Sequence, residues 1–397
     1  MLGQRPRTAP LTERSFLLTL GATFLFFLAM SAFVLMPRQL WELGASDSVI
    51  GWVMGAIQVT TAVVMPLVGM LLHRVSPRRF MVGGALLMAL GCAALAQIEE
   101  ISWLIYLVRA VQGLGFAAFF VSAGTLVVTV VPDNQRAQGL SLWGAGVLIT
   151  QAVAPLGAEQ LLRVGSFGHV YWAAAGACLA AALTSLWLPQ RRPERAAPKP
   201  LLTLLRKPAV AVGLLALLSG SLGFGTIYSF LSAFTQREAL GPVAPFFGAY
   251  TVGSLLVRLV GGKWADRYDR RLVIVPSLVL SALAIAALWF VRTGWHLVLV
   301  GALYGAGSGF SYPALMAFVV DQAEPADRAR AVALDNWSFT VGMLLAATVF
   351  GPVADSLGMR GAFAGVGVLG AVAALALLTL RLPNTVGSAS IRPRSTS

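Results

Sequence analysis

Stretches of about 20 apolar residues, each ended by a short polar or basic interval, recur along the whole chain. They run near 15–36, 49–72, 79–98, 102–130, 137–162 and 168–188, and again near 209–234, 243–263, 272–291, 296–320, 329–353 and 361–381. A helix rises about 1.5 Å per residue, so each stretch can cross a hydrocarbon core of ~30 Å. The fourth and fifth are long, and the tenth runs through Pro313, so tilts or kinks are expected there. The pattern predicts an all-α integral membrane protein with twelve transmembrane helices in two sets of six. Residues 189–208, PQRRPERAAPKPLLTLLRKP, have no sustained apolar face and separate the sets. The expected layout is a first half over 1–188, a basic linker over 189–208, a second half over 209–381 and a tail over 382–397.

Composition agrees with lipid as the solvent. Of 397 residues 57% are apolar and 11% charged, with a mean hydropathy of +0.79. A soluble domain carries roughly 25% charged residues. The net charge of +13 does not point to nucleic acid, because the basic residues sit in short clusters between apolar runs. Their distribution reads as topology instead. With the N-terminus inside, the inner segments hold 22 Lys and Arg, six of them in the linker, and the outer ones hold 5. The outer five are Arg38, Arg163, Arg237, Arg292 and Arg360, while Arg109 and Arg258 lie within helices. Both chain ends are therefore expected on the cytoplasmic side of the inner membrane. Arg5, Arg7 and Arg14 precede the first run, but that run exceeds the roughly 7–15 residues of a signal-peptide core. It is read as the first spanning helix.

Several chemistries drop out. Cys92 and Cys178 lie in apolar runs, and His73, His169 and His296 form no HxxxH or HExxH, so neither a disulfide framework nor a metal site is expected. No cofactor is implied, and no base–nucleophile pair suggests an enzyme. There is no G-x-x-x-x-G-K-[ST] loop for ATP. Transport by such a chain must draw on an ion or solute gradient.

The two sets of helices repeat. GMLLHRVSPRR at 69–79 aligns with GKWADRYDRR at 262–271, RAVQGLG at 109–115 with GALYGAG at 301–307, and PDNQRA from Pro132 with PADRA from Pro325. Internal duplication is how many secondary transporters are built, with the substrate site between the halves.

On these landmarks the chain resembles the major facilitator superfamily over essentially its whole length. The family's loop after the second helix, G-x-x-x-D-R-x-G-R-[RK], is matched by Gly262, Asp266, Arg267, Arg270 and Arg271, with Asp269 where glycine is usual. Its first-half copy keeps Gly69, Arg74, Arg78 and Arg79 but has His73 in place of the aspartate. A carboxylate there can pair with arginine and favour a helix N-terminus, making a cytoplasmic latch; His73 is neutral much of the time near pH 7. Arg109, Gln112, Gly113 and Gly115 match R-x-x-Q-G-x-G of the fourth helix. GAGVLITQAVAPLG, Gly144–Gly157, is a weaker echo of an antiporter motif, with Ala154 before Pro155 where glycine is usual.

Arg109 is about six residues into its helix, roughly 9 Å deep. An intramembrane arginine usually faces a cavity or a partner, and Gln112 shares its face. The first and fourth helices contain no acidic residue, which leaves Asp335 as the titratable group best placed for coupling. Gln58, Tyr228, Tyr304 and Tyr312 are further candidate lining residues. Gly113, Gly115, Pro155, Gly305 and Gly307 are read as helix-packing positions, and Glu159 and Asp355, near outer helix ends, as facing water. The resemblance to compact bacterial efflux members implies export of a small organic molecule by proton antiport from a monomer in lipid. An importer of a nutrient or organic acid, and a non-transporting receptor with the same fold, are the competing readings. Topology is directly testable: cytoplasm-active reporters fused at Arg195 and at Arg392 should both be active, and an inactive one at either site overturns the twelve-helix arrangement.

Overall fold

The computed structural model describes residues 13–132, 135–190, 201–265, 270–324 and 327–379. Every element among them is helical. The first span, α1, covers Arg14–Glu42 and tightens into a 3-10 turn at Phe33–Leu35. Pro37 explains the turn, since it has no N–H to return to the Phe33 carbonyl; Met36 bonds that carbonyl instead. The other first-half helices are α2 (Asp47–Leu71), α3 (Pro77–Leu95), α4 (Trp103–Val130), α5 (Arg136–Val164) and α6 (Phe167–Ser185). After a short 3-10 helix at Leu201–Arg206 come α7 (Pro208–Arg237), α8 (Ala244–Ala265), α9 (Arg270–Ala286) and α10 (Gly294–Asp321). The run Arg328–Thr379 is broken at Gly358, whose φ of 74° suits glycine, and its arms 328–357 and 359–379 are α11 and α12. α10 continues through Pro313 without a break. Successive spans alternate in direction, which puts the end of α6 and the start of α7 at one end of the bundle, the linker end, and the α1–α2, α7–α8 and α11–α12 connections at the other, the far end.

Lipid offers no hydrophobic drive between helices, so association depends on close contact and polar bonds. The central helices of each half achieve this with glycine, in matching ways. A Cβ on Gly113 would come within 2.5 Å of the Ile57 carbonyl oxygen on α2, and one on Gly305 within 2.2 Å of the Tyr250 oxygen on α8. Two residues on, a Cβ on Gly115 would meet the Gly84 oxygen of α3, and one on Gly307 the Ser277 oxygen of α9, both at 2.6 Å. A hydroxyl completes each contact: Thr61 donates to the Gly113 carbonyl at 3.3 Å, and Ser254 to that of Gly305 at 2.9 Å. The partners Ile57 and Tyr250, Thr61 and Ser254, Gly84 and Ser277 are each 193 residues apart. The repeat read from the landmarks is thus a repeat of contacts. Outward faces carry Trp52, Val63, Leu90, Leu183, Leu215 and Leu259, all more than half exposed, as a lipid-facing surface requires.

A methyl group at either backbone contact must push two helices apart. Gly113→Ala and Gly305→Ala should each cost about 1–3 kcal/mol, read as a lower unfolding temperature in detergent. Gly176→Ala, with no neighbouring helix within 4 Å of the added carbon, should not lower it.

Candidate functional site

Arg109 enters the membrane core from the far end of α4 and is 1% exposed. Its Nη1 donates to Gln112 Oε1 at 2.9 Å, one turn deeper on the same face. Gln112 in turn donates from Nε2 to Cys92 Sγ on α3 at 3.7 Å. Gly91 creates the room for this, because a Cβ there would lie 2.5 Å from Gln112 Cγ. On its other side the guanidinium lies over the Phe33 ring, 5.0 Å from the centroid. Phe33 is placed by the 3-10 turn ahead of Pro37 and stacks on Tyr171 of α6 at 5.7 Å. Tyr171 donates its hydroxyl to Gln39 Oε1. Among the described residues no carboxylate is in ion-pair range of Arg109, and its Nε has no partner. A buried cation held only by an amide and a ring face retains donor capacity for an anionic or polar group.

The three candidate tyrosines join a single aromatic network in the second half. Phe224, one turn before Tyr228 on α7, packs against Tyr228, Tyr250 and Phe339 at 6.1, 6.0 and 6.0 Å. Tyr304 stacks on Tyr250 at 5.8 Å, and Tyr312 meets Phe339 edge-on at 5.4 Å. Tyr228 also crosses to the first half, donating its hydroxyl to the Met30 carbonyl at 2.5 Å. Phe224 and Phe339 escaped the sequence reading because apolar rings on apolar helices carry no local mark, and Tyr250 was passed over although it carries the same hydroxyl as the three chosen tyrosines.

Asp335 is 0% exposed on α11, and neither of its oxygens has a hydrogen-bond partner among the described residues. Two turns of α11 around it touch α2: Trp337 Nε1 donates to the Ala62 carbonyl at 3.0 Å, and Thr340 to Met65 Sδ at 3.7 Å. Gln58 Nε2 approaches Met343 Sδ at 3.9 Å, another contact between halves. Arg109 and Asp335 belong to opposite halves and share no bond. Pro155 is buried inside α5. Arg258, read only as lying within a helix, donates from Nε to the Gly309 carbonyl at 3.1 Å.

The first-half latch residues bond locally. His73 Nδ1 lies 2.6 Å from the Met70 carbonyl, Arg74 Nε donates to His73 Nε2 at 3.3 Å, and Arg78 to the Leu188 carbonyl at 3.4 Å. Gly69 faces open space. Of the second-half latch, Asp266 and Arg267 lie outside the described residues, as do the side-chain environments of Gly262, Arg270 and Arg271. The expectation that Glu159 faces water is corrected. It is 7% exposed, and its carboxylate accepts two backbone N–H groups of the other half. Asp355 remains exposed but is likewise bound across the halves.

Residues 17–247 and 239–396 each match the Major Facilitator Superfamily. The multidrug resistance protein MdtG of Citrobacter koseri is 25% identical over 316 residues, covering 76% of this chain and 77% of that protein. MdtG of Salmonella choleraesuis is 24% identical, covering 76% and 78%. Among solved structures, the nucleoside transporter NupG superposes with a TM-score of 0.76 at 17% identity, covering 92% of this chain and 98% of its own. An inward-facing bacterial homologue of the human lysosomal transporter Spinster gives 0.73 at 15% identity, covering 94% and 96%. At these identities the solved structures speak for the fold.

Arg109→Lys keeps the charge and loses the planar fork; Arg109→Ala loses both. Both variants should reach the membrane at near native levels, with vesicle transport largely lost in the alanine variant and strongly reduced in the lysine one. Full transport by the alanine variant would reduce Arg109 to a packing residue.

Proposed function

The chain belongs to the major facilitator superfamily, and on that premise we propose that it exports a small, drug-like organic molecule across the inner membrane in exchange for protons. The linker end faces the cytoplasm in this reading, in keeping with the 22-to-5 bias of Lys and Arg. The names of the MdtG relatives support drug efflux as the direction and the class of cargo.

One observation carries the proton coupling: Asp335 is a fully buried carboxylate with both oxygens unpartnered among the described residues. An ionised carboxylate in such surroundings costs several kcal/mol. A proton on Asp335 removes that cost while α11 is packed against α2, and wetting the same site in another conformation lets the proton leave. Arg109 serves the cargo side, since it offers a planar donor fork one turn from Gln112 and no carboxylate among the described residues competes for it. The aromatic network around Phe224 supplies apolar surface suited to flat, poorly soluble molecules.

Asp335→Asn cannot release a proton but keeps the shape. In inside-out vesicles the native protein should accumulate cargo when the lumen is made acidic. The asparagine variant should lose that accumulation and keep cargo exchange at equal pH. Proton-driven accumulation by the variant would place coupling elsewhere, and accumulation by native protein only with the opposite gradient would mark an importer.

A further inference from the structure

The far end holds two bonds of one kind, each running from one half to the other. Glu159 on α5 accepts the backbone N–H groups of Val243 at 2.6 Å and Ala244 at 3.1 Å, at the start of α8. Asp355 on α11 accepts those of Asp47 at 2.9 Å and Ser48 at 3.0 Å, at the start of α2, together with the Ser48 hydroxyl at 2.5 Å. An offset of 196 residues relates Asp47 to Val243, Ser48 to Ala244 and Glu159 to Asp355. The two clasps therefore share one pattern, set three residues, nearly one helical turn, off the 193-residue register of the packing contacts. They are crossed, so that each half gives one carboxylate and receives one.

The first N–H groups of a helix have no acceptor within it, and they carry the positive end of its dipole. A carboxylate placed there makes charge-assisted hydrogen bonds. Here donors and acceptor always belong to different halves, so the bonds exist only while the far ends of the halves touch. Parting them frees four N–H groups and two carboxylates at once. A third tie is not duplicated: Arg237 of α7 donates to both oxygens of Asp47 at 3.0 and 2.8 Å, with its guanidinium 6.0 Å over the Trp41 ring.

We propose that the crossed caps of Glu159 on α8 and Asp355 on α2 form the far-end gate of this transporter. They break together when the far end opens, and their strength sets the balance between closed and open forms. The gate is independent of cargo identity, transport direction and the role of Asp335.

Spin-label distances test it without any transport assay. Leu43→Cys with Leu357→Cys spans the α2–α11 clasp, and Val164→Cys with Pro242→Cys spans the α5–α8 clasp. All four positions are exposed, while Cys92 and Cys178 are buried and escape labelling. In the Glu159→Gln/Asp355→Asn double variant the long-distance population should grow by roughly tenfold in both pairs, as expected for losing hydrogen bonds to charged groups. Distances matching the native protein, or widening confined to one pair, would overturn the proposal. Should the double variant fail to reach the membrane, Ala244→Pro removes one donor at a first helical position that tolerates proline. That variant must still widen both pairs, and native-like distances in it would equally overturn the gate.

Discussion

In α4 and α10 the helix backbone comes so close to its neighbours that no Cβ fits between them. Gly113 and Gly115 on α4, and Gly305 and Gly307 on α10, each face a different adjoining helix. Two contacts per helix, on two sides, fix both its distance and its rotation. Rotation matters for function, because it decides that Arg109 and Gln112 turn inward rather than toward lipid. A larger residue at any of these four positions would move the polar face as well as the helix. In lipid, where burying a leucine gains little, such backbone contacts are what can hold a helix in place.

A chain with 11% charged residues uses its buried ones in different ways. Glu159 and Asp47 are engaged across the halves, the first by two N–H groups on one oxygen and the second by both arms of Arg237. These groups bind one half to the other. Arg109 is partly engaged, with Gln112 and Phe33 beside it and Nε free. Asp335 has no partner among the described residues. Buried polar groups normally find partners, so Arg109 and Asp335 stand out as the places that the proposed cargo and proton would complete. The division is spatial as well. Glu159 and Asp47 lie at the far end, and Arg109 and Asp335 lie deeper in the bundle.

The sequence by itself determined the number of spans, their order, the repeat and the family, because hydropathy and motif spacing are local properties of a chain in lipid. It also marked Arg109, Gln112 and Asp335, since a polar residue inside an apolar run is conspicuous wherever the run folds. The environment of those residues was decided only in three dimensions. Phe33 reaches Arg109 because Pro37 tightens α1 into a 3-10 turn, and Tyr171 arrives from a helix far along the chain. Glu159 and Asp355 looked like solvent-facing residues at helix ends, a fair reading of each helix alone that holds for the exposure of Asp355 but not of Glu159. Their partners are backbone N–H groups 84 and 308 residues away, and such groups have no side-chain identity for a sequence pattern to reveal. Which helix start lies beside which carboxylate follows from the packing of the two halves, and only the tertiary structure contains it.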